Sequence, residues 1–143
     1  QHFADMEALY AACVERQHAH LADLAAPLDR DGALDVRIER VVDRWASIYE
    51  RIAPVRRAAV RVAPDSPVVR RELERVRILQ RRELAALFSS ELNGRARRDR
   101  LAALEAALTF GAWDHLRATQ NLSAAATRRV MTFTIRAVLG EEP

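Results

Sequence analysis

The sequence predicts an all-α fold, an antiparallel bundle of about six helices. Three observations predict it. Apolar residues recur at steps of three and four along most of the 143 residues, which places them on one helix face. Ala, Leu, Arg and Glu dominate, while only four Gly and five Pro occur, a mixture that favours helix. No stretch reads convincingly as a strand, an internal repeat or a low-complexity tract.

The first helix is expected from about Asp5 to Leu24, with Asp5 as N-cap and a stripe of Met6, Tyr10, Cys13, Leu21 and Leu24. Pro27 and the run Asp29-Arg30-Asp31-Gly32 mark a loop. The second helix starts near Leu34. It carries Ile38, Val41, Trp45, Ile48 and Ile52 on one face, with Tyr49 beside them. Pro54 is expected to end or kink it, because proline lacks the N–H and crowds the preceding turn. A short third stretch, Val55 to Val62, then stops at Ala63-Pro64-Asp65.

Ser66-Pro67 supplies a cap residue followed by proline at the first helical position. It opens a long helix to about Leu92, with Val69, Leu73, Val76, Leu84 and Leu87 in its stripe and Asn93-Gly94 at its end. Another helix is expected from about Arg98 to Thr119, with Leu101, Leu104, Leu108, Ala112 and Leu116 on one face. Asn121 suits the left-handed conformation that closes a helix, and Ser123 is a good N-cap for the last one. That one carries Val130, Met131, Thr134, Val138 and Leu139 and frays at Gly140. Thr109, Phe110, Trp113 and Leu116 surround much of the penultimate helix. A helix apolar nearly all round is covered on both sides, and in a small domain the second cover is often another subunit.

The length is that of one domain. Half of the residues are hydrophobic and 30% are charged, the balance of a soluble globular chain. All 23 basic residues are Arg, a codon bias that points to a GC-rich bacterial genome. The net charge of +3 is too small to imply nucleic-acid binding by this domain itself. No apolar run approaches the roughly 20 residues of a membrane span, and no secretory pattern opens the chain. The single cysteine, Cys13, excludes an internal disulfide, so a reducing cytoplasm is the expected compartment. Cys13 itself reads as a small buried hydrophobe.

Catalytic and cofactor motifs are not apparent. His18 and His20 lie two apart and point to different helix faces, which makes them poor metal co-ligands. There is no phosphate-binding glycine loop and no nucleophile elbow. No catalytic residue, metal site or cofactor is therefore assigned. An enzyme reading would need a perturbed acid–base pair, for example around His20 and Glu83.

Three polar residues interrupt apolar stripes: Gln17, His20 and Gln80. A buried amide without a partner costs roughly 1–3 kcal/mol, so each needs either a contact with a neighbouring helix, a place at the solvent margin, or a ligand in an apolar pocket. Trp45 and Tyr49 stand one turn apart and either pack in the core or line such a pocket. The run Arg70, Arg71, Arg75, Arg77, Arg81 and Arg82 is interleaved with Glu72, Glu74 and Glu83. It reads as a solvated face with helical ion pairs, or as a contact for an anionic head group or the DNA backbone.

Two stretches carry a family resemblance. The opening, His2-Phe3-Ala4-Asp5-Met6-Glu7-Ala8-Leu9, resembles the junction after the recognition helix of TetR-family transcriptional regulators. The closing stretch, from Ala107-Leu108-Thr109-Phe110 through Trp113 and Leu116-Arg117 to Asn121-Leu122-Ser123, resembles that family's penultimate helix and the turn after it, with Asn121 where the family has Gly. Between them, residues 52–58 and 66–69 resemble segments of one subgroup.

The resemblance implies a TetR C-terminal-domain-like bundle. Residues 1–4 would be the end of a helix-turn-helix head and residues 5–143 the ligand-binding and dimerisation domain. The dimer face implied for the last two helices comprises Leu101, Leu104, Leu108, Trp113, Leu116, Val130, Met131, Thr134 and Val138. The first helix, the second and that of residues 67–92, with the start of the penultimate one, would surround a cavity lined by Tyr10, Gln17, Trp45, Tyr49, Gln80 and Phe110. A small hydrophobic or aromatic effector there would release a homodimeric regulator from operator DNA, since a ligand shifts such an equilibrium only by binding one state better. The alternative is a helical-bundle interaction module, dimeric and without a small-molecule ligand.

Overall fold

The structure is a computed structural model that describes residues 2–140, the side chains of His2, Phe3, Met6 and His18 excepted. Readings placed on Gln1 and on those four side chains lie outside it. All described elements are helical: α1 (His2–His20), a 3-10 turn (Ala22–Leu24), α2 (Leu34–Val62), α3 (Pro67–Leu87), α4 (Arg97–Ala107), α5 (Phe110–Asp114, continued by a π-helical turn over His115–Thr119) and α6 (Ala124–Leu139). No strand occurs among the described residues, as the all-α prediction requires. No described helix is long and apolar enough to cross a membrane.

Side-chain caps open three of the described helices, α3, α5 and α6. Ser66 Oγ accepts from the Val69 N–H at 3.3 Å, with Pro67 first in α3. Ser123 Oγ accepts from the Ala126 N–H at 3.1 Å and opens α6. Each satisfies a donor that the first helical turn leaves free. Asn121 sits at φ 54° and Gly94 at φ 69°, the left-handed turns read from the sequence.

Four expectations are corrected. The helix expected to run to about Leu92 ends at Leu87 with Phe88 as its C-cap, so Asn93-Gly94 lies in the connection to α4 and not at the helix end. Asp5 is not an N-cap, because α1 already runs from His2 and Asp5 lies inside its first turn. Pro54 does not end the second helix. It stands inside α2, which absorbs the expected third stretch and continues to Val62. A helical proline forfeits one backbone bond, yet Ala53 and Ala59 on either side of it are buried, so tertiary packing overrides the local preference. The expected helix of residues 98–119 is broken at Leu108-Thr109. Thr109 turns extended, its hydroxyl accepting from the Ala112 N–H at 3.1 Å and donating to the Ala106 carbonyl at 3.0 Å. The chain therefore restarts as α5 with Thr109 as its N-cap.

The core is built on α2. Ile38, Val41, Val42, Trp45 and Tyr49 meet Leu84 and Leu87 of α3, Phe88 and Leu92 after it, Leu101 and Leu104 of α4, and Met131, Ile135 and Leu139 of α6. Each fully buried side chain of this size contributes roughly 1.5–3 kcal/mol. Arg37 locks the lower end. Its guanidinium donates to the Leu87 carbonyl at 2.8 Å, pairs with Glu91 and lies 5.9 Å from the Phe88 ring centre.

This core settles where the residues assigned to a dimer face lie in the chain. Leu101, Leu104, Leu108, Trp113 and Met131 are buried by the chain itself, Leu116 and Val138 are half-buried, and Val130 and Thr134 are exposed. The second cover expected over the penultimate helix is supplied within the chain, by α2 against α5 and by α6 against the π-helical turn. The exposed large hydrophobic residues of α6 are Val130 and Phe133, the latter 72% exposed.

Candidate functional site

Helix α1 lies across α2 and α3, and none of its described side chains is fully buried. Clefts remain under and beside it. The first, about 480 Å3, runs between α1, α2 and α3 and is lined by Tyr10, Gln17, Trp45, Tyr49, Ile52, Arg56, Val76 and Leu79 among others. The second, about 870 Å3, opens between α2, α3 and the start of α5 and is lined by Tyr49, Arg56, Leu73, Val76, Gln80, Thr109 and Phe110 among others. Tyr49, Arg56 and Val76 line both and so form their common wall. A third, apolar hollow of about 290 Å3 lies beside Tyr10, Cys13, Pro54, Ala59 and Val69. Ligand sites in proteins span about 300–1,000 Å3, so the two larger clefts have the capacity for a small organic molecule.

All six residues read as pocket candidates line these clefts. Tyr10, Gln17, Trp45 and Tyr49 face the first, while Tyr49, Gln80 and Phe110 face the second. Tyr49 is 3% exposed and stacks with three rings. Its centroid lies 5.8 Å from Trp45, 5.5 Å from Phe110 and 5.8 Å from Trp113. The tilted and edge-on geometries match the ring quadrupoles.

The break between α4 and α5 gives the wall its polar centre. It leaves the Leu108 carbonyl without a helical partner, and two side chains take its place. Tyr49 Oη donates to it at 2.6 Å and Gln80 Nε2 at 3.0 Å, and Gln80 also donates to Tyr49 Oη at 3.1 Å. Burial pushes the Tyr49 phenol up to about 12, against the opposing pull of the Gln80 bond and the Arg56 charge. Gln80 thus bonds a neighbouring helix and borders the cleft at once. Trp45 Nε1 donates to Glu83 Oε1 at 2.9 Å, and Arg44 pairs with the other Glu83 oxygen at 3.1 Å. Gln17 is half-buried at the first cleft and its side chain has no hydrogen bond among the described residues.

The acid–base pair weighed for an enzyme does not form. Glu83 is held by Trp45 and Arg44, while His20 is exposed and uses its backbone carbonyl to accept from Arg51 at 3.2 Å. No group of three or more described His, Cys, Asp or Glu side chains is arranged to hold a metal ion. Much of the arginine run on α3 is tied in ion pairs: Arg75 with Glu72 and Arg77 with Glu74, each at 2.6 Å, and Arg81 with Glu105 at 2.5 Å.

Sequence reasoning missed Arg56 and the Leu108 carbonyl. Trp45, Tyr49, Ile52 and Arg56 follow at steps of four, three and four, a single face of one helix. Taking Pro54 as a break hid that register. Compared with protein-family models, curated proteins and solved structures, the chain matches none.

Proposed function

We propose that this chain is the effector-binding and dimerisation domain of a TetR-like transcriptional regulator, a cytoplasmic repressor released from DNA by a small hydrophobic or aromatic ligand. The observation that carries the ligand part is the pair of clefts sharing the wall of Tyr49, Arg56 and Val76. The first cleft is lined mostly by apolar side chains with a few polar groups, the pattern of small-molecule sites, while the larger one sets charged side chains around the apolar surface of Tyr49, Leu73, Val76 and Phe110. The regulatory part rests on the resemblance of the chain's two ends to that family. A homodimer would form on the outer faces of the last helices, where Phe133 and Val130 leave apolar surface exposed, and a two-fold contact suits a palindromic operator. The same exposed face favours the second reading, an interaction module that uses it without any ligand.

The test uses the natural gene product that carries this chain, bound to the DNA upstream of its own gene. Its affinity is measured with and without a panel of naphthalene-sized aromatic compounds. The expected result is specific DNA binding that an active compound weakens by roughly 5- to 150-fold, the usual range of coupling between sites. DNA affinity unchanged by every compound that the clefts bind would contradict the proposal.

A further inference from the structure

We propose that the larger cleft takes an organic anion, a carboxylate on an aromatic or aliphatic body, anchored by Arg56. The proposal rests on the small-molecule reading above and names its ligand class.

The charges around that cleft do not balance. Five arginines (Arg56, Arg57, Arg61, Arg70 and Arg77) line it against two carboxylates, Glu74 and Asp114. Both carboxylates are already engaged. Arg57 holds Asp114 at 2.6 Å and Arg77 holds Glu74 at 2.6 Å. Arg70 donates to the carbonyls of Ala63 and Pro64, at 3.2 and 2.7 Å. Arg61 is exposed to water.

Arg56 differs from these. It is half-buried, and its Nε is fully buried with no hydrogen-bond partner. No hydrogen bond or ion pair among the described residues includes it. A buried guanidinium N–H without a partner is destabilising, and because the residue as a whole is only half-buried, the rest of its unpaired guanidinium at the cleft wall is a place for an incoming anion. Carboxylate matches the planar guanidinium fork and forms charge-assisted bonds with it. The rest of the cleft fits the body of such a ligand, since Tyr49, Leu73, Val76 and Phe110 offer apolar and aromatic surface beside the cation.

Calorimetric titration with 2-naphthoate and with its neutral isostere 2-naphthamide tests this. Naphthoate is expected to bind roughly tenfold or more tightly, with the preference shrinking as salt is raised. Arg56→Gln is expected to abolish the preference and Arg56→Lys to keep part of it. Arg71→Gln, on the exposed surface of α3 and outside both clefts, should leave it intact. Circular dichroism confirms that each variant is folded, and the comparison of the two probes on the unmodified chain stands whether or not a variant folds. Equal affinity for the two probes overturns the anion assignment and leaves the small-molecule reading in place. Binding of neither probe overturns both. An undiminished preference in folded Arg56→Gln overturns Arg56 as the anchor.

Discussion

Tyr49 joins the core to the clefts through a single hydroxyl. That hydroxyl donates to the Leu108 carbonyl and accepts from Gln80, and burial raises its pKa to about 12. In the unfolded chain the same phenol titrates near pH 10. The raised folded value means that the stabilisation from the neutral phenol is complete below about pH 10 and is lost as the pH climbs through about 12. Tyrosinate absorbance of the native chain minus that of Tyr49→Phe should therefore rise only near pH 12. The same variant should lose roughly 1 kcal/mol at neutral pH, the net worth of one hydrogen bond, and show a shallower alkaline loss of stability. A Tyr49 signal that titrates near pH 10 in the folded chain would contradict this placement. Trp45, Tyr49 and Gln80 were legible as residues in need of a partner, because an indole N–H, a phenol and a stripe-breaking amide each demand one when buried, whereas Phe110 came only with the family resemblance. Which partner each would find was not legible. The Leu108 carbonyl becomes available only where a helix breaks, and no side-chain pattern announces a backbone acceptor.

At the scale of elements, boundaries marked by local turn and cap chemistry were mostly legible, and those set by packing were less so. Ser66-Pro67, Asn121 and Ser123 mark their turns by chemistry that acts over a few residues, whereas α3 stops at Leu87, short of the Asn93-Gly94 signal. The passage of α2 through Pro54 depends on the burial of Ala53 and Ala59 against distant parts of the chain, which local signals do not carry. The α4–α5 break has a local signal that apolar periodicity obscured, since Thr109 is itself a favoured N-cap type. Thr109→Ala removes both of its side-chain bonds, to the Ala112 N–H and the Ala106 carbonyl. The expected cost is about 1 kcal/mol, read as a lowered denaturant midpoint with an unchanged slope. A variant as stable as the parent would mean that the break is held by the core alone, with no contribution from the cap.

For the whole molecule, two layers of packing differ in tightness. Helices α2 to α6 share one continuous core, whereas α1 covers α2 and α3 with half-buried side chains and leaves clefts on their surface. The bundle was legible from periodicity alone. The division of labour among its faces was not, because apolar residues destined for the chain's own core and those destined for a partner have the same spacing. Leu104 and Leu108, assigned to a dimer face on the family resemblance, are fully covered within the chain. On α6, Val130 and Phe133 are the large apolar side chains left exposed. The central claim is that the shared wall of the two clefts is a small-molecule site. The most direct test is a nuclear magnetic resonance titration of the labelled chain with 2-naphthoate and 2-naphthamide, following the Arg56 Nε–H and the Gln80 side-chain amide. Both signals are expected to shift together and to saturate, while signals from the exposed face of α6 stay still. Unmoved Arg56 and Gln80 signals, with either probe gathering at Phe133 or binding nowhere, would contradict the claim.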